Sequence, residues 1–337
     1  MASTIAWGAL ALLLLGLTGG VGGVALPSRQ HGGLSSQGAF RSIDVPYHLL
    51  VAPRGAVSSL PTNLSLGNLL AYVPAAPVTD DLLVFLSGST QPCSEYSQLL
   101  ETVAGRILAL CLPYDNRAMI ATLCGSDGGC YPDLRLEAFN GSFSDVSGNN
   151  IELRLVSALR YLSGIDGAFW SSYLDAPSSL PRWSRIRVAG HSQGAGAAAF
   201  IGYYRKVARV VQFSGVCDQS EWTARLGPPV TPANRFFGFA SRWDAMCKTF
   251  TAQLFSWRNE GALPPGAAPL ELTRRTDITG VSLNGTHVVI SDLLPPGCST
   301  ADTNTPSCIS AAHASTAQNL RKESPYADGV WQELCGI

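Results

Sequence analysis

The stretch RIRVAGHSQGAGAAAFIGYYRK, residues 185–206, carries in its middle Gly190-His191-Ser192-Gln193-Gly194, which fits the pattern G-x-S-x-G. The residues 186–189 before it are mostly apolar or β-branched, which is typical of a strand, and the small and apolar residues after it are typical of a helix. The pattern alone also arises by chance in a chain with 34 glycines. The strand–turn–helix context therefore carries the interpretation, and it predicts a tight turn that exposes the Ser192 hydroxyl.

Candidate strands and helices alternate along most of the chain. The predicted strands are 47–51, 69–73, 82–86, 107–112, 186–189, 209–213 and 236–240. The predicted helices are 95–104, 151–162, the residues after the turn, 248–261 and 325–335, and 278–291 reads as a hairpin or a terminal strand. This alternation predicts a mostly parallel, doubly wound sheet in a single α/β domain over residues 26–337.

Two segments, 115–150 and 291–313, are longer than usual connections between such elements. Long loops in compact enzymes often serve as lids or as walls of the substrate site.

Composition excludes some classes of partner. The 337 residues are 46% hydrophobic, and the net charge is -1 with no run of basic residues. The chain therefore has no cluster of basic residues with which to bind nucleic acid or an anionic membrane surface. No feature points to a protein partner.

The first 25 residues predict a secretory signal peptide. They contain an apolar stretch over about 5–17, followed by small residues up to Ala25. An uncleaved membrane anchor is the alternative, although the glycines at 19, 20, 22 and 23 would weaken a helix there. Glycosylation sequons at Asn63, Asn140 and Asn284 are consistent with secretion.

Nine cysteines favour an oxidising compartment. Their positions make three disulfides plausible: Cys124 with Cys130, Cys298 with Cys308, and Cys217 with Cys247. One cysteine must remain free, and Cys111 is the expected free thiol because it lies within an apolar strand. A zinc site is the competing explanation, but no pair has C-x-x-C spacing, so no metal is predicted.

A nucleophilic serine needs a histidine base and an acid that orients this base. For a turn of this kind the expected chain order is serine, acid, histidine. His31 and His48 precede the turn and His191 lies inside it, which leaves His287 and His313. His287 begins an apolar strand, where a structural histidine is commoner, so His313, in a segment of small residues read as a loop, is the predicted base.

Asp244, a few residues after the strand 236–240, is the predicted acid, and Asp218, after the preceding strand, is the alternative. Either aspartate could instead simply cap a turn or a helix. The oxyanion hole is predicted to consist of the backbone N–H groups of Gln193 and Ser89. The stretch Ser87-Gly88-Ser89 is also compatible with an ordinary turn.

These residues together resemble the α/β-hydrolase superfamily, and more narrowly its secreted serine esterases and lipases. The resemblance runs from about Leu69 to the C-terminus and includes the segment LLVFLSGS at 82–89 and the segment GHSQG at 190–194. It departs at Ser87-Gly88, where many members have His-Gly.

The resemblance implies an α/β-hydrolase fold with an about eight-stranded, mostly parallel sheet flanked by helices. It also implies acyl-enzyme chemistry on a small-molecule or lipid ester, with no cofactor. An acyltransferase and a catalytically silent binding protein of the same fold are the alternatives, because one fold hosts several functions.

Overall fold

The structure is a computed structural model, and it describes residues 34–35, 38–45, 67–117, 119–141, 150–176, 178–218, 221–247, 250–274, 281–283, 285–320, 324–327 and 329–337. The predicted signal peptide, the predicted strand 47–51 and the sequons at Asn63 and Asn284 lie outside the described residues. Asn140 is partly exposed at the end of a helix.

One sheet runs through the molecule. Its strands are β1 (Leu34–Ser35), β2 (Gly38–Val45), β3 (Leu69–Pro74), β4 (Leu82–Leu86), β5 (Leu108–Cys111), β6 (Ile186–His191), β7 (Arg209–Phe213), β8 (Phe236–Ser241), β9 (Leu270–Leu272) and β10 (Val288–Ser291). Their order across the sheet is β1-β2-β3-β5-β4-β6-β7-β8-β10-β9. Strands β4 to β10 are parallel to one another, whereas β1, β2 and β3 form antiparallel pairs at one side.

Helices connect the parallel strands and cover both faces. They are α1 (Ser97–Ala104), α2 (Ile120–Cys124), α3 (Cys130–Asn140), α4 (Ile151–Asp166), α5 (Ala168–Ser171), α6 (Gln193–Tyr204), α7 (Glu221–Arg225), α8 (Phe250–Asn259), α9 (Pro306–Ser315) and α10 (Val330–Cys335). Helix-covered parallel strands are the architecture that the alternating pattern predicts. The fold prediction is confirmed: the sheet is mostly parallel and flanked by helices, which fits the α/β-hydrolase fold.

The strand count exceeds the predicted eight because of two very short edge strands, β1 and β9. Sequence reasoning also missed β2, which pairs in antiparallel register with β3 from Phe40 opposite Pro74 to Val45 opposite Leu69. Of the two interpretations of 278–291, the structure bears out the terminal strand, because β10 pairs in parallel with β8.

The two long segments predicted as loops contain helices. Residues 115–150 include α2 and α3, and residues 291–313 include most of α9. Helix α9 begins at a capping threonine, because the Thr305 side chain accepts a hydrogen bond from the backbone N–H of Cys308 and a proline follows it. His313 therefore lies on a helix and not, as predicted, in a loop.

The core has two layers, one on each face of the sheet. Alternate residues of β4 point to opposite faces, as strand geometry requires. Val84 and Leu86 pack with α4 and α6, whereas Leu83 and Phe85 pack with α1 and α10. The sheet is thus buried on both faces, which is why its central strands read as continuous apolar runs rather than alternating ones.

Four disulfides link the described residues, and they include all three anticipated pairs, Cys124–Cys130, Cys217–Cys247 and Cys298–Cys308. The prediction that Cys111 is the free thiol is wrong, because Cys111 is bonded to Cys93 in the turn before α1. The free thiol is Cys335, buried at the end of α10. Across the part of the chain that the structure describes, no helix has the length and apolar character needed to cross a membrane.

A buried carboxylic acid lies between α8 and the sheet. Glu260 is 1% exposed, and its Oε2 accepts a hydrogen bond of 2.5 Å from the side-chain amide of Gln212 on β7. Burial raises the pKa of Glu260 to about 8, although the hydrogen bond from Gln212 acts in the opposite direction. The folded protein therefore holds a proton here that the unfolded chain loses at lower pH.

We predict that Glu260→Gln flattens the pH dependence of stability. Because the folded pKa is raised, the wild-type free energy of unfolding is largest below the ordinary pKa of 4.5 and falls as the pH rises towards about 8. The loss is at most about 1.4 kcal/mol per pH unit. Urea unfolding at pH 5, 7 and 9 measures this loss of free energy of unfolding. Glu95→Gln is the control, because it removes a carboxylate at an exposed position. Equal slopes in wild type and Glu260→Gln would contradict the assignment.

Candidate active site

The turn between β6 and α6 holds Ser192 in a conformation that few residues adopt. Its backbone angles are φ 56° and ψ -119°, in the positive-φ range where an ordinary side chain is strained. The Ser192 N–H donates a hydrogen bond of 2.9 Å to the carbonyl of Phe213 at the end of β7. The turn therefore presents Ser192 at the carboxyl edge of the sheet, where α/β folds form their sites.

Close contact between backbones explains the two glycines of the motif. A Cβ atom at Gly190 would lie 2.1 Å from the carbonyl oxygen of Gly194, and a Cβ atom at Gly194 would lie 2.1 Å from the carbonyl oxygen of Leu86. No side chain fits at either place. The motif glycines thus permit the turn to close on itself and on the end of β4.

The loop after β4 lies against this turn. The Asn116 amide donates hydrogen bonds to the Ser87 hydroxyl at 3.0 Å and to the Gly88 carbonyl at 2.5 Å. The Tyr114 hydroxyl donates to the Ser87 carbonyl at 2.9 Å. These bonds fix the backbone of the loop, and a Cβ atom at Gly88 would lie 3.2 Å from Ser192 Cβ.

Two backbone N–H groups beside Ser192 have no hydrogen-bond acceptor among the described residues. The Gly88 N–H donates to the Tyr96 hydroxyl at 2.9 Å, but the N–H groups of Ser89 and Gln193 have no acceptor among the residues that the structure describes. The Gln193 side chain further joins the two segments, because its Oε1 accepts from the Ser89 hydroxyl at 2.7 Å and from the Ile120 N–H at 3.3 Å. These two free donors are those predicted for an oxyanion hole.

Asp244 and His313 meet in a buried hydrogen-bonded pair. Asp244 Oδ2 lies 2.9 Å from His313 Nδ1, although the residues are 69 positions apart. Asp244 is 1% and His313 7% exposed. His313 Nε2 makes no hydrogen bond among the described residues, and none joins His313 to the Ser192 hydroxyl; catalytic hydrogen bonds are often long without substrate.

The surroundings of Asp244 keep it ionised. Burial by itself would raise the pKa of this carboxyl, but hydrogen bonds from His313, Gln253 and the Met246 N–H, with the charge of His313, lower it below its usual value. The Gln253 amide donates to Oδ2 at 3.1 Å, and the Met246 N–H donates to Oδ1 at 3.0 Å. An ionised carboxylate can hold the proton of His313 on Nδ1 and leave Nε2 able to accept one.

Asp218, the alternative acid, has different partners. Its carboxylate accepts hydrogen bonds from Arg135 at 2.6 and 2.8 Å and from the Trp222 indole at 2.9 Å. Arg135 in turn donates to the Gln193 carbonyl at 2.7 Å. This buried pair therefore supports the first turn of α6 rather than a histidine.

Of the remaining histidines in the described residues, neither is placed to act as a base. His287 Nδ1 bonds to the Phe236 carbonyl at 3.1 Å and its ring stacks on Phe237 with centroids 4.4 Å apart. Burial lowers the pKa of His287. His191 is 1% exposed, and both its ring nitrogens are bonded inside the protein.

The Cys217–Cys247 disulfide joins the loops after β7 and β8 next to Asp244 and His313. Both sulfur atoms lie within 4.8 Å of a ring nitrogen of His313. Since these thiols are joined to each other, they do not offer the thiolate ligands that the zinc alternative required. The bridge therefore braces the loop that carries Asp244.

A cavity of about 190 Å³ lies between the segment after β10 and the segment after α9. Leu293, Pro296, Leu320 and Tyr326 supply its apolar wall, and Gln318 is one of its polar groups. Neither Ser192 nor His313 lines this cavity.

Sequence reasoning missed Tyr96, Arg135 and Gln253. Tyr96 contacts the loop after β4, Arg135 reaches the first turn of α6, and Gln253 bonds to Asp244. Each lies in a helix or turn without a motif, so no local pattern identifies it. Two glycines lie against these residues: a Cβ atom at Gly196 would be 2.1 Å from the Arg135 guanidinium, and a Cβ atom at Gly88 would be 3.1 Å from the Tyr96 hydroxyl.

No family model matches the chain, and no curated protein matches it. Among solved structures, the chain is similar to a cold-adapted esterase from an Arctic intertidal metagenomic library. The TM-score is 0.38 and the identity 16%, over 70% of this chain and 85% of that one.

We predict that Asp218→Asn destabilises the fold. The change leaves the buried Arg135 guanidinium without its counter-ion, which costs roughly 3 kcal/mol in comparable pairs. Asp115→Asn is the matched control, because Asp115 pairs with Arg117 at the surface, where the cost is below about 1 kcal/mol. Chemical denaturation measures both, and equal losses would contradict the structural role of Asp218.

Proposed function

We propose that this protein is a secreted serine hydrolase that cleaves carboxylic esters through an acyl-enzyme intermediate. The observation that carries the proposal is the buried contact of 2.9 Å between Asp244 and His313, at the same sheet edge as a strained serine turn with two free N–H donors. Ser192 is the proposed nucleophile, His313 the base and Asp244 the acid. The substrate is a small-molecule or lipid ester.

In the proposed reaction, the Ser192 oxygen attacks the ester carbonyl while His313 Nε2 accepts the hydroxyl proton. The Gln193 and Ser89 N–H groups donate hydrogen bonds to the resulting oxyanion. The tetrahedral intermediate collapses, the bond to the leaving alcohol breaks, and His313 returns its proton to that alcohol. Water then attacks the acyl-enzyme with His313 as base, which releases the acid and restores Ser192.

The two alternatives differ from this reaction at or after acylation. An acyltransferase would pass the acyl group to an alcohol or amine instead of water, and a silent binding protein would not form the acyl-enzyme. The complete set of nucleophile, base, acid and donors favours an active enzyme over a silent fold. The four disulfides are consistent with an oxidising compartment, which supports secretion.

Ser192→Ala tests the nucleophile. We expect it to abolish labelling by a fluorophosphonate probe and to lower kcat for acyl esters by on the order of 10⁶. A panel of esters with increasing acyl length is assayed with and without an added alcohol acceptor, which separates hydrolysis from acyl transfer. Labelling that survives the substitution, in a protein with the wild-type circular dichroism spectrum, would remove Ser192 from the mechanism.

His313→Ala and His287→Ala form a matched pair for the base. Both changes remove a histidine that is hydrogen-bonded in the fold, but only His313 is bonded to a carboxylate. We expect kcat to fall by on the order of 10⁴ or more for His313→Ala and by less than about tenfold for His287→Ala. Initial-rate kinetics on one ester measures both, and the reverse order would contradict the proposed base.

Asp244→Asn tests the acid. The amide can no longer stabilise the protonated ring or hold it in the required tautomer, so we expect kcat to fall by about 10⁴. Asp218→Asn is the control in the same assay, because Asp218 bonds to Arg135 instead of to a histidine. If kcat falls more for Asp218→Asn than for Asp244→Asn when both variants are equally folded, Asp218 and not Asp244 is the acid.

A further inference from the structure

A continuous chain of hydrogen bonds joins the loop after β4 to helix α9 through two buried side chains. The Gly88 N–H lies 2.9 Å from the Tyr96 hydroxyl oxygen, which lies 3.1 Å from His191 Nδ1. His191 Nε2 lies 2.9 Å from the carbonyl oxygen of His313. The chain therefore touches the proposed oxyanion loop, the residue before Ser192, and the backbone of the proposed base.

The two ends of this chain determine the direction of every bond in it. A backbone carbonyl only accepts, so His191 Nε2 must carry the proton that it shares with His313. His191 Nδ1 is then a bare acceptor, and the Tyr96 hydroxyl must donate to it. The Tyr96 oxygen is left to accept from the Gly88 N–H, as a backbone amide requires, and from the Gln318 amide at 3.3 Å.

His313 is near the end of α9, where helix carbonyls lack a partner in the next turn. Side chains replace that partner, because the His313 carbonyl accepts from His191 and, at 2.8 Å, from the Ser214 hydroxyl. The last turn of α9 is thus held against the turn that carries Ser192. Without the His191 donor this carbonyl would keep the Ser214 hydroxyl at 2.8 Å and the Thr316 hydroxyl at 3.4 Å. It would lose only the bond that joins the residue whose ring must reach Ser192 to the residue before Ser192.

At the other end, Tyr96 determines which amide of the loop is free. It accepts the Gly88 N–H, so the next amide, that of Ser89, is the one left unbonded beside Ser192. The tyrosine is itself held in place: it ends the turn in which Cys93 is bonded to Cys111, and its ring packs on Phe85 with centroids 4.7 Å apart.

We propose that Tyr96 and His191 are positioning residues of the active site. They hold three segments in fixed positions relative to one another: the loop after β4, the turn that carries Ser192, and helix α9. This rests on the proposed function. Neither side chain changes charge near neutral pH, because burial raises the pKa of Tyr96 to about 12, and burial together with the charge of His313 lowers the pKa of His191 to about 3. Their role is geometric, because both side chains are buried and their polar atoms are hydrogen-bonded within the protein.

Three variants test by enzyme kinetics whether Tyr96 and His191 position these three segments. His191→Phe keeps a ring but removes the donor, His191→Gln offers an amide N–H to the His313 carbonyl, and Tyr96→Phe removes the hydroxyl. We expect kcat to fall by about 10- to 100-fold for the two phenylalanine variants, with KM within about threefold, since misplacement of reacting groups costs rate rather than binding. His191→Gln should recover kcat to within about fivefold of wild type.

Tyr173→Phe is the matched control, because Tyr173 is also buried and its hydroxyl donates to a backbone carbonyl, that of Asp80, away from this site. Its kcat should equal that of wild type. Wild-type kcat in Tyr96→Phe and His191→Phe would overturn the proposal. A His191→Gln variant no better than His191→Phe, or losses that appear in KM alone, would also overturn it.

Nitrogen NMR of histidine-labelled protein gives a readout that does not depend on activity. We expect one neutral ring with its proton on Nε2 that does not titrate between pH 5 and 9, that is absent in His191→Gln and that shifts in Tyr96→Phe. A His191 ring that titrates in this range, or that carries its proton on Nδ1, would overturn the chain of bonds. A wild-type protein that neither hydrolyses esters nor reacts with the fluorophosphonate would instead overturn the proposed function, and the spectrum would still decide whether the chain of bonds exists.

Discussion

The close approach of three backbone segments around Ser192 is the constraint on which the rest of the site depends. The end of β4, the turn after β6 and the first turn of α6 come so near to one another that Gly190 and Gly194 have no room for a Cβ atom. This contact forces Ser192 to a positive φ and leaves the Gln193 N–H without an acceptor among the described residues. Strain at one residue is tolerated because the surrounding sheet and helix over-determine its position.

Polar groups that this packing removes from water are satisfied by long-range partners. The Gln193 carbonyl accepts from Arg135, whose charge is balanced by Asp218, and the His313 carbonyl accepts from His191. Each bond joins segments that are distant in the chain. The polar network therefore does what apolar packing cannot do, because hydrogen bonds specify direction and apolar contacts do not.

Much of the architecture could be predicted from local patterns. The strands 69–73, 82–86, 209–213 and 236–240 lie within one residue of their observed bounds at each end, because strands buried on both faces read as distinct apolar runs. Three disulfides were predicted by spacing and by their place next to strands. The very short edge strands β1 and β9 could not be predicted, since they bury too few side chains to leave a pattern.

By itself the sequence determined the strand–turn–helix around Ser192 and the order in which Asp244 and His313 follow it, because these features depend on side-chain size and periodicity over a few residues. Tertiary structure alone decided that Asp218 pairs with Arg135, that Cys111 is bonded to Cys93 and not free, and that His313 lies on a helix with its carbonyl bonded to His191. The physical reason is distance along the chain: local preference cannot tell which of two aspartates faces a histidine 69 or 95 residues away, because the packing of the whole sheet sets that contact.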